Sequence, residues 1–522
     1  MTELAAPSTP LPHWTASELA QATGGTWHPA ADNHSDISVA RIISNTRLIQ
    51  PHDAFLALIG ERFDAHNFAA DAAKQGAAVA VVSRLIADVS IPQLLVDDTR
   101  LALGRLATTR RQSFPQLETV ALTGSSGKTT TKEMLGSILR AHTHFDYVLV
   151  TRGNLNNDLG VPMMLLELTP QHRFAVMELG ANHIGEIAYT TAMVKPKVAG
   201  ILNIGTAHVG EFGGREGIAR AKSEIFQGLA ADGIAIIPAQ GDFSEVIAQA
   251  ARNFQTIRFG GDQHSSDVFA TQIEILPTAS RFTLNAQREA IRVELPFAGA
   301  HNIDNALAAA AFALALNIPL VTIAQGLNQA QGTKGRLNFT KHDLPNGTLT
   351  LIDDTYNANP HSIRAAAHVL TAQAGMHVLV LGDIGELGDN AADEHRTLGA
   401  DLAKMPLDAL FAVGEYASST VADIPTNTMN AQAFENKDQL FTALKGWLQT
   451  HIQQSPYQIN ILFKGSRFTQ METLINSIET EIQQDAQAFE KTIINASILE
   501  SLLSKNSLSK NHITQDSVSE TR

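Results

Sequence analysis

The sequence predicts an α/β fold of three domains followed by a tail. A chain of 522 residues is too long for one hydrophobic core. Short buried-type apolar runs recur between Ala-rich amphipathic stretches, the pattern of parallel strands covered by helices. One such run, Val120-Ala121-Leu122, leads through Thr123-Gly124-Ser125-Ser126-Gly127-Lys128-Thr129-Thr130 into Lys132-Glu133-Met134-Leu135. A strand that turns through glycines into a helix aims several backbone N–H groups at one point, which is the geometry that phosphate oxygens need.

Residues 1 to about 115 form a small α/β unit, with strands Ala54-Phe55-Leu56-Ala57-Leu58 and Ala78-Val79-Ala80-Val81-Val82 and an Ala-rich helix from Phe68 to Gln75. The phosphate-loop strand opens a second region, from 116 to about 330. It carries Phe174-Ala175-Val176-Met177, Val198-Ala199-Gly200-Ile201-Leu202 and Ile234-Ala235-Ile236-Ile237 as further strands of a mostly parallel sheet. Gln331-Gly332-Thr333-Lys334-Gly335-Arg336 suits a hinge. A third α/β region runs from 331 to about 480, with strands at Leu349–Ile352, Val378–Leu381 and Ile459–Phe463. From about 481 to 522, polar residues dominate, and a partly disordered tail with one weak helix near Ile493 to Leu503 is expected.

Composition excludes several classes. A formal charge of −14 without a Lys/Arg cluster argues against a nucleic-acid partner. No apolar run is long enough to cross a bilayer, and Met1 to Trp14 lacks the marks of a secretory signal. With no cysteine, disulfides, thiolate metal sites and Cys nucleophiles are excluded. A cytoplasmic monomer is the expectation.

In the phosphate loop, Gly124, Ser125, Ser126, Gly127 and Thr130 would line the phosphates. Lys128 would bridge the terminal ones, and Thr129 would place its hydroxyl on Mg²⁺. The strict pattern wants a glycine where Leu122 stands, so the loop is a shortened one. Glu178 ends a strand near that loop and is a candidate Mg²⁺ ligand. His208 follows the strand that ends at Leu202, a placement that suits either a structural or a catalytic histidine. Lys222 lies in the amphipathic stretch Ile218 to Phe226, where a solvated charge is the simpler account. Asn302 and Asn305 share a face at the start of an Ala/Leu-rich helix; their amides could read a purine edge or simply cap the helix. After strands in the third region come Asp353-Asp354-Thr355-Tyr356-Asn357-Ala358-Asn359-Pro360, suited to ribose or substrate, and Lys464-Gly465-Ser466-Arg467, suited to a carboxylate or phosphate.

Together these runs resemble the Mur ligases, ATP-dependent amide-forming enzymes of peptidoglycan precursor synthesis. The loop, Glu178, His208, Ala221-Lys222-Ser223-Glu224-Ile225, Gly299-Ala300-His301-Asn302-Ile303-Asp304-Asn305 and Gly335-Arg336 stand in the family's order over about residues 30 to 475. Gly153-Asn154-Leu155-Asn156-Asn157, the run from Asp353 to Pro360, Gly385-Glu386-Leu387-Gly388 and the run from Lys464 to Arg467 are similar to those of the member that joins D-alanyl-D-alanine to a UDP-N-acetylmuramoyl-tripeptide. The resemblance implies a three-domain architecture: a small N-terminal α/β domain that binds the UDP-sugar-peptide, a central P-loop parallel sheet that binds ATP, and a C-terminal Rossmann-like α/β ligase domain.

The resemblance also implies roles. Lys128 and the loop hold ATP, and Thr129 and Glu178 hold one Mg²⁺. His208 and a carbamylated Lys222 serve a second. Asn302 and Asn305 contact adenine, Arg336 the phosphates and Asp354 the ribose. Substrate would meet Ser44, Arg47, Asp64 and His66 in the first region, Asn154, Asn156 and Asn157 in the second, and Tyr356, Asn357, Asn359, Lys464, Ser466 and Arg467 in the third. The first region departs from the family pattern at Asn45, where an Asp is expected, and at Ala65, where a Gly is expected. Another amino-acid-adding ligase of the family, or a P-loop binding module without catalysis, stands as the alternative.

Overall fold

The computed structural model describes residues 11–29, 36–60, 63–205, 212–452 and 456–484. The expected tail beyond 484, its candidate helix and His208 lie outside the described residues. By its internal contacts the chain divides into two compact units. The first comprises 1–274, 280–296 and 300–331; the second comprises 275–279, 297–299 and everything from 332 onward.

The first unit holds two main sheets. Near the N-terminus five strands lie in the order Thr26–His28, Gln93–Leu95, Val79–Val82, Ala54–Leu56 and Ile42–Ile43, parallel except for the first. The strand expected to reach Leu58 stops at Leu56, because Ala57 and Leu58 turn into the loop that pairs Ile59 with Asp64. The helix expected from Phe68 to Gln75 runs only Ala69–Lys74 and is preceded by the tighter turn Ala65–Phe68.

The central sheet has nine strands. From one edge they are Val148–Val150, Phe174–Glu178, Glu118–Thr123, Val198–Ile201, Ile234–Pro238 and Gln255–Phe259, then Val268–Ile275, Ser280–Ala286 and Glu289–Leu295. The first six are parallel throughout, as buried β-branched and Ala-rich runs dictate. Glu118–Thr123 lies between two later strands, so the chain reverses its direction of winding there. Open α/β sheets bind ligands beside that reversal, at the carboxyl ends of the strands.

The helix Lys128–His142 leaves this point and packs between Ala300–Ala315 and Leu320–Asn328. The helix Ala300–Ala315 buries thirteen of its sixteen residues, so its composition, apolar nearly all round, fits a helix enclosed by neighbours. Gly326 lets its helix come very close: a Cβ there would lie 2.3 Å from Ile138 Cα, and Ser137 Oγ donates to the Gly326 carbonyl at 2.7 Å.

In the second unit six strands lie in the order Asn338–Leu344, Gly347–Asp354, Tyr457–Lys464, Met376–Gly382, Ala409–Val413 and Asn430–Phe434, parallel except for the first pair. Successive side chains feed opposite cores. Val378, Val380, Ile461 and Phe463 join Leu440, Leu444 and Trp447 on one face. Leu379, Leu381 and Leu462 join Ile363, Leu370 and Leu398 on the other. The strands expected to end at Ile352 and Phe463 extend to Asp354 and Lys464, because those residues pair with each other in register.

Gly326→Ala is expected to lower stability by about 1–3 kcal/mol, since a methyl group must push apart two packed helices. Urea unfolding should show a lower midpoint at unchanged slope; an unchanged midpoint would mean that the helices can separate without cost.

Candidate active site

The phosphate loop is held from below by a residue that the sequence reading passed over. Asn203, just beyond the strand Val198–Ile201, accepts the Ser126 N–H on Oδ1 at 2.9 Å and donates from Nδ2 to the Ser126 carbonyl at 3.0 Å. Its own carbonyl accepts the Ser125 N–H at 3.2 Å. Gly127 starts the helix in the left-handed region, φ 78°, and a Cβ there would lie 2.2 Å from Asn305 Oδ1. A Cβ on Gly124 would lie 3.0 Å from Leu202 Cβ. Gly127 is therefore required by space as well as by turn geometry, while Gly124 sits at a close approach that a larger residue would have to press apart. Leu122, at the formal mismatch, is a fully buried strand residue.

The hydroxyls of Thr123 and Ser125 are buried and have no hydrogen-bond partner among the described residues. Orphaned hydroxyls beside a helix start fit a site built to receive phosphate oxygens. Lys128 Nζ donates to the Gly124 carbonyl at 2.7 Å, curled over the loop it would serve. Thr130 is half-buried in the first turn of the helix.

Thr129 and Glu178 come together as expected: Thr129 Oγ1 donates to Glu178 Oε2 at 3.0 Å. Glu178 is 2% exposed, and its other oxygen accepts from Asn156 Nδ2 at 2.9 Å. Its backbone N–H donates to Thr151 Oγ1 at 3.0 Å. Asn156, read as a substrate contact, thus orients the carboxylate in this structure. Asn157 Oδ1 accepts the Gly160 N–H at 2.8 Å, and the Asn154 side chain is exposed. The hydroxyl and carboxylate oxygens are hard donors that fit Mg²⁺. Among the described residues no group of three or more His, Asp or Glu could hold a metal alone, so phosphate oxygens would have to complete the shell.

Lys222 sits in the helix Arg215–Ser223 and is buried, against the simpler expectation of a solvated charge. Burial pushes its ammonium well below the ordinary lysine range, and the nearby Lys128 pushes the same way. That favours a neutral amine, the form that can react with carbon dioxide. The following turn is fixed by Glu224, whose carboxylate accepts the Gly185 and Ala188 N–H groups at 2.8 and 3.1 Å and so caps the helix Glu186–Val194.

Asn302 and Asn305 are buried one turn apart, with Asn305 Nδ2 donating to Asn302 Oδ1 at 3.0 Å. Asn305 Oδ1 accepts from Thr131 Oγ1 at 3.4 Å, so the pair touches the phosphate-loop helix directly.

In the second unit Asp354 and Lys464 form a buried ion pair, Nζ to Oδ2 at 2.5 Å. Lys464 also donates to the Asn357 carbonyl at 3.0 Å, and the Leu337 N–H donates to Asp354 Oδ1 at 3.2 Å. Burial pushes the Asp354 carboxyl up, while Lys464 and then Arg336 pull it back. The Arg336 guanidinium lies 4.3 Å above the Tyr356 ring. Asn357 Oδ1 accepts the Ala358 N–H at 2.9 Å. Asn359 caps the helix Pro360–Thr371, accepting the Ser362 N–H at 2.8 Å. Ser466 Oγ accepts the Gly385 N–H at 2.8 Å, and exposed Arg467 pairs with Glu472 at 2.8 Å.

In the first region Asn45 Oδ1 accepts the Arg47 N–H at 3.1 Å and caps the turn Thr46–Leu48, a task in which Asn serves as well as the expected Asp. Ser44 is half-buried and Arg47 exposed. Ala65 lies inside the turn Ala65–Phe68 and is not among the residues with positive φ, so no glycine is needed there. His66 Nε2 accepts the Ser83 N–H at 2.9 Å, which leaves Nδ1–H directed at Asp64 Oδ1, 2.6 Å away. Desolvation opposes ionisation of Asp64, but the His66 N–H, Arg84 and the His66 ring hold its carboxyl at about 2. Asp64 and His66 thus build the loop as a locked pair.

Two family models match the chain: the Mur ligase middle domain over residues 122–313 and the Mur ligase glutamate ligase domain over 335–467. A UDP-N-acetylmuramoyl-tripeptide–D-alanyl-D-alanine ligase of Haemophilus influenzae is 40% identical over 450 residues, covering 86% of this chain and 95% of that protein. The chain belongs to the Mur ligase family. An Escherichia coli Mur ligase of the same name is 41% identical over 85% of this chain and 95% of its own length. Among solved Mur ligases, a structure titled MurF from Acinetobacter baumannii is 54% identical, with a TM-score of 0.83 over 90% of this chain and 99% of its own. A MurF ligase from Thermotoga maritima in complex with ADP is 25% identical, with a TM-score of 0.73 over 85% and 98%. The fold is accordingly α/β with the three-domain Mur ligase architecture, and the chain is an ATP-dependent, amide-bond-forming ligase. No helix of the described residues is long and apolar enough to cross a membrane.

The lowered Lys222 ammonium has a consequence for stability. Between its folded value and the ordinary value of 10.5, the unfolded chain binds more protons, so this group's contribution rises with pH and is most unfavourable at acid pH. Lys222→Met is expected to match or exceed the parent in stability in metal-free, bicarbonate-free buffer. The difference should be largest at low pH and shrink as pH rises toward 10.5; urea unfolding between pH 6 and 9.5 checks the slope, and a gap that widens with pH would contradict it.

Proposed function

We propose that this ligase joins D-alanyl-D-alanine to a UDP-N-acetylmuramoyl-tripeptide, with release of ADP and phosphate, in peptidoglycan precursor synthesis. The observation that carries the reading is the likeness, over most of both chains, to ligases named for these substrates. The phosphate loop and the Thr129–Glu178 pair support it. The reading implies a cytoplasmic enzyme acting as a monomer, with ATP as the phosphoryl donor.

A carboxylate is a poor electrophile. The peptide's terminal carboxylate oxygen first bonds to the γ-phosphorus of ATP, and the bond from that phosphorus to ADP breaks. The D-alanyl-D-alanine amine then attacks the acyl carbon, the tetrahedral intermediate expels phosphate, and the amine proton is lost. Lys128 moves from the Gly124 carbonyl to the phosphates and neutralises charge on the transferred group. The Ser125 and Thr123 hydroxyls gain the partners they lack. Thr129 and Glu178 would hold Mg²⁺, and His208 with a carbamylated Lys222 would serve a second position. Bound Mg²⁺ supplies charge neutralisation at the phosphoryl oxygens. Carbamylation turns Lys222 into the oxygen ligand that such a site requires. Asn302 and Asn305 hold adenine, Arg336 the phosphates and Asp354 the ribose. The remaining substrate contacts are Ser44, Arg47, Asp64, His66, Asn154, Asn156, Asn157, Tyr356, Asn357, Asn359, Lys464, Ser466 and Arg467.

The direct test is a coupled ADP-release assay with UDP-N-acetylmuramoyl-tripeptide, comparing D-alanyl-D-alanine with single amino acids. Turnover that requires the dipeptide is expected; turnover with a single amino acid in its place would point to a different member of the family.

Lys128→Ala should lose roughly 10²-fold or more in rate while keeping its fold, because the phosphoryl charge is left uncompensated. Near-normal turnover in a folded variant would remove the loop from the mechanism.

Lys222→Ala should be nearly inactive and partly restored by acetate, which can occupy the vacated volume. Lys222→Arg should resist rescue, since its side chain fills the space and cannot become an anion. A fully active Lys222→Arg enzyme would refute the carbamate.

A further inference from the structure

Beneath Glu178 lies a second lysine that the mechanism above does not use. Lys132, on the phosphate-loop helix, is 1% exposed. Its ammonium donates to the Thr151 carbonyl at 2.6 Å and pairs with Glu133 at 2.9 Å. Its third neighbour is Glu178 Oε2 at 3.9 Å, within ion-pair range and beyond hydrogen-bond range.

We infer that Lys132 is a positioning residue: its buried ammonium is the protein's own counter-charge to Glu178 and sets how tightly the Thr129–Glu178 pair takes a divalent cation. The inference rests on the ligase reading above. Two neutral donors, Asn156 Nδ2 and Thr129 Oγ1, aim the carboxylate. Lys132 balances its charge from a distance that leaves its lone pairs available. Lys132 also grips Thr151, whose hydroxyl receives the Glu178 N–H, so one side chain governs both the placement of the carboxylate and the field around it. A cation arriving at Oε2 meets a carboxylate already partly compensated. Lys132 therefore stabilises the cation-free state and weakens cation binding, which eases release once the nucleotide has been spent.

Mn²⁺ in the presence of saturating ADP is the probe, its free concentration read by electron paramagnetic resonance on the full-length protein. Lys132→Gln keeps a donor for the Thr151 carbonyl and removes the charge; Lys132→Met removes both. Both are expected to bind Mn²⁺ at least roughly tenfold more tightly than the parent, the effect of removing a like charge several ångströms from a divalent ion even at a water-like dielectric. Their thermal midpoints in EDTA should fall, with Mn²⁺ restoring more of the loss than it adds to the parent. A purely structural lysine would lower the midpoint and leave affinity unchanged or weaker, and that result overturns the inference. Should neither variant fold, Glu133→Gln leaves the Lys132 charge to Glu178 alone and is expected to weaken Mn²⁺ binding at least threefold; unchanged affinity there also overturns it. A parent enzyme that binds no Mn²⁺ with ADP would overturn the ligase reading itself, and this inference with it.

Discussion

Glu178 and Lys132 bring opposite charges almost wholly out of water at the carboxyl ends of a parallel sheet, and each must be satisfied where it stands. Much of the central region can be understood as meeting that demand. The strand Phe174–Glu178 delivers the carboxylate, the phosphate-loop helix delivers the ammonium and the Thr129 hydroxyl, and Thr151 ties the two elements together from the edge strand's end. Removing one member leaves a buried group uncompensated, which costs far more than the pair gains by forming. The arrangement therefore specifies one geometry more than it adds stability.

The second unit uses the same device in simpler form. Asp354 and Lys464 end neighbouring parallel strands and are register partners. A slip of one residue would send them to opposite faces of the sheet, where neither would find a counter-ion. The pair thereby locks register at the end of the sheet from which Asn357, Ser466 and Arg467 project. Asn359, one step further on, uses its Oδ1 to cap the helix Pro360–Thr371, which fixes its side chain beside the others.

Parallel strands such as Phe174–Glu178, Val198–Ile201 and Tyr457–Lys464 and the phosphate loop were legible because both leave local marks, apolar runs in one case and glycines at fixed offsets before Lys-Thr in the other; Gln255–Phe259 and Asn430–Phe434, with polar residues inside them, were not. The strand Val268–Ile275 and the antiparallel pair Ser280–Ala286 and Glu289–Leu295 escaped notice. Their inward residues, such as Phe282 and Leu284, alternate with polar ones, so no apolar run announces them. The amphipathic stretch around Lys222 is visible in the sequence, but the burial of Lys222 depends on what packs above it, which no local pattern records. Asn203, Thr151 and Lys132 were invisible as site residues for a related reason: each acts through a contact with a residue distant in sequence or through the backbone of another strand. At the two departures, Asn45 and Ala65, the local turns form without the residues the family pattern favours: Asn45 caps Thr46–Leu48, and Ala65 needs no positive φ.

The enclosed helix Ala300–Ala315 has one more implication, for the order in which the protein is made. The phosphate-loop helix emerges from the ribosome long before the Ala-rich segment that packs against it, and before Leu320–Asn328 with its Gly326 contact. Throughout that interval the part of the sheet face over Val198–Ile201, Ile234–Pro238 and Gln255–Phe259 lacks its cover, and the covering helix, too apolar to be stable alone in water, has nowhere to dock until the strands exist. The central region must therefore condense late and as a whole. A ribosome stalled shortly before residue 300 would hold a nascent chain that carries its nucleotide loop yet displays the surface that chaperones bind.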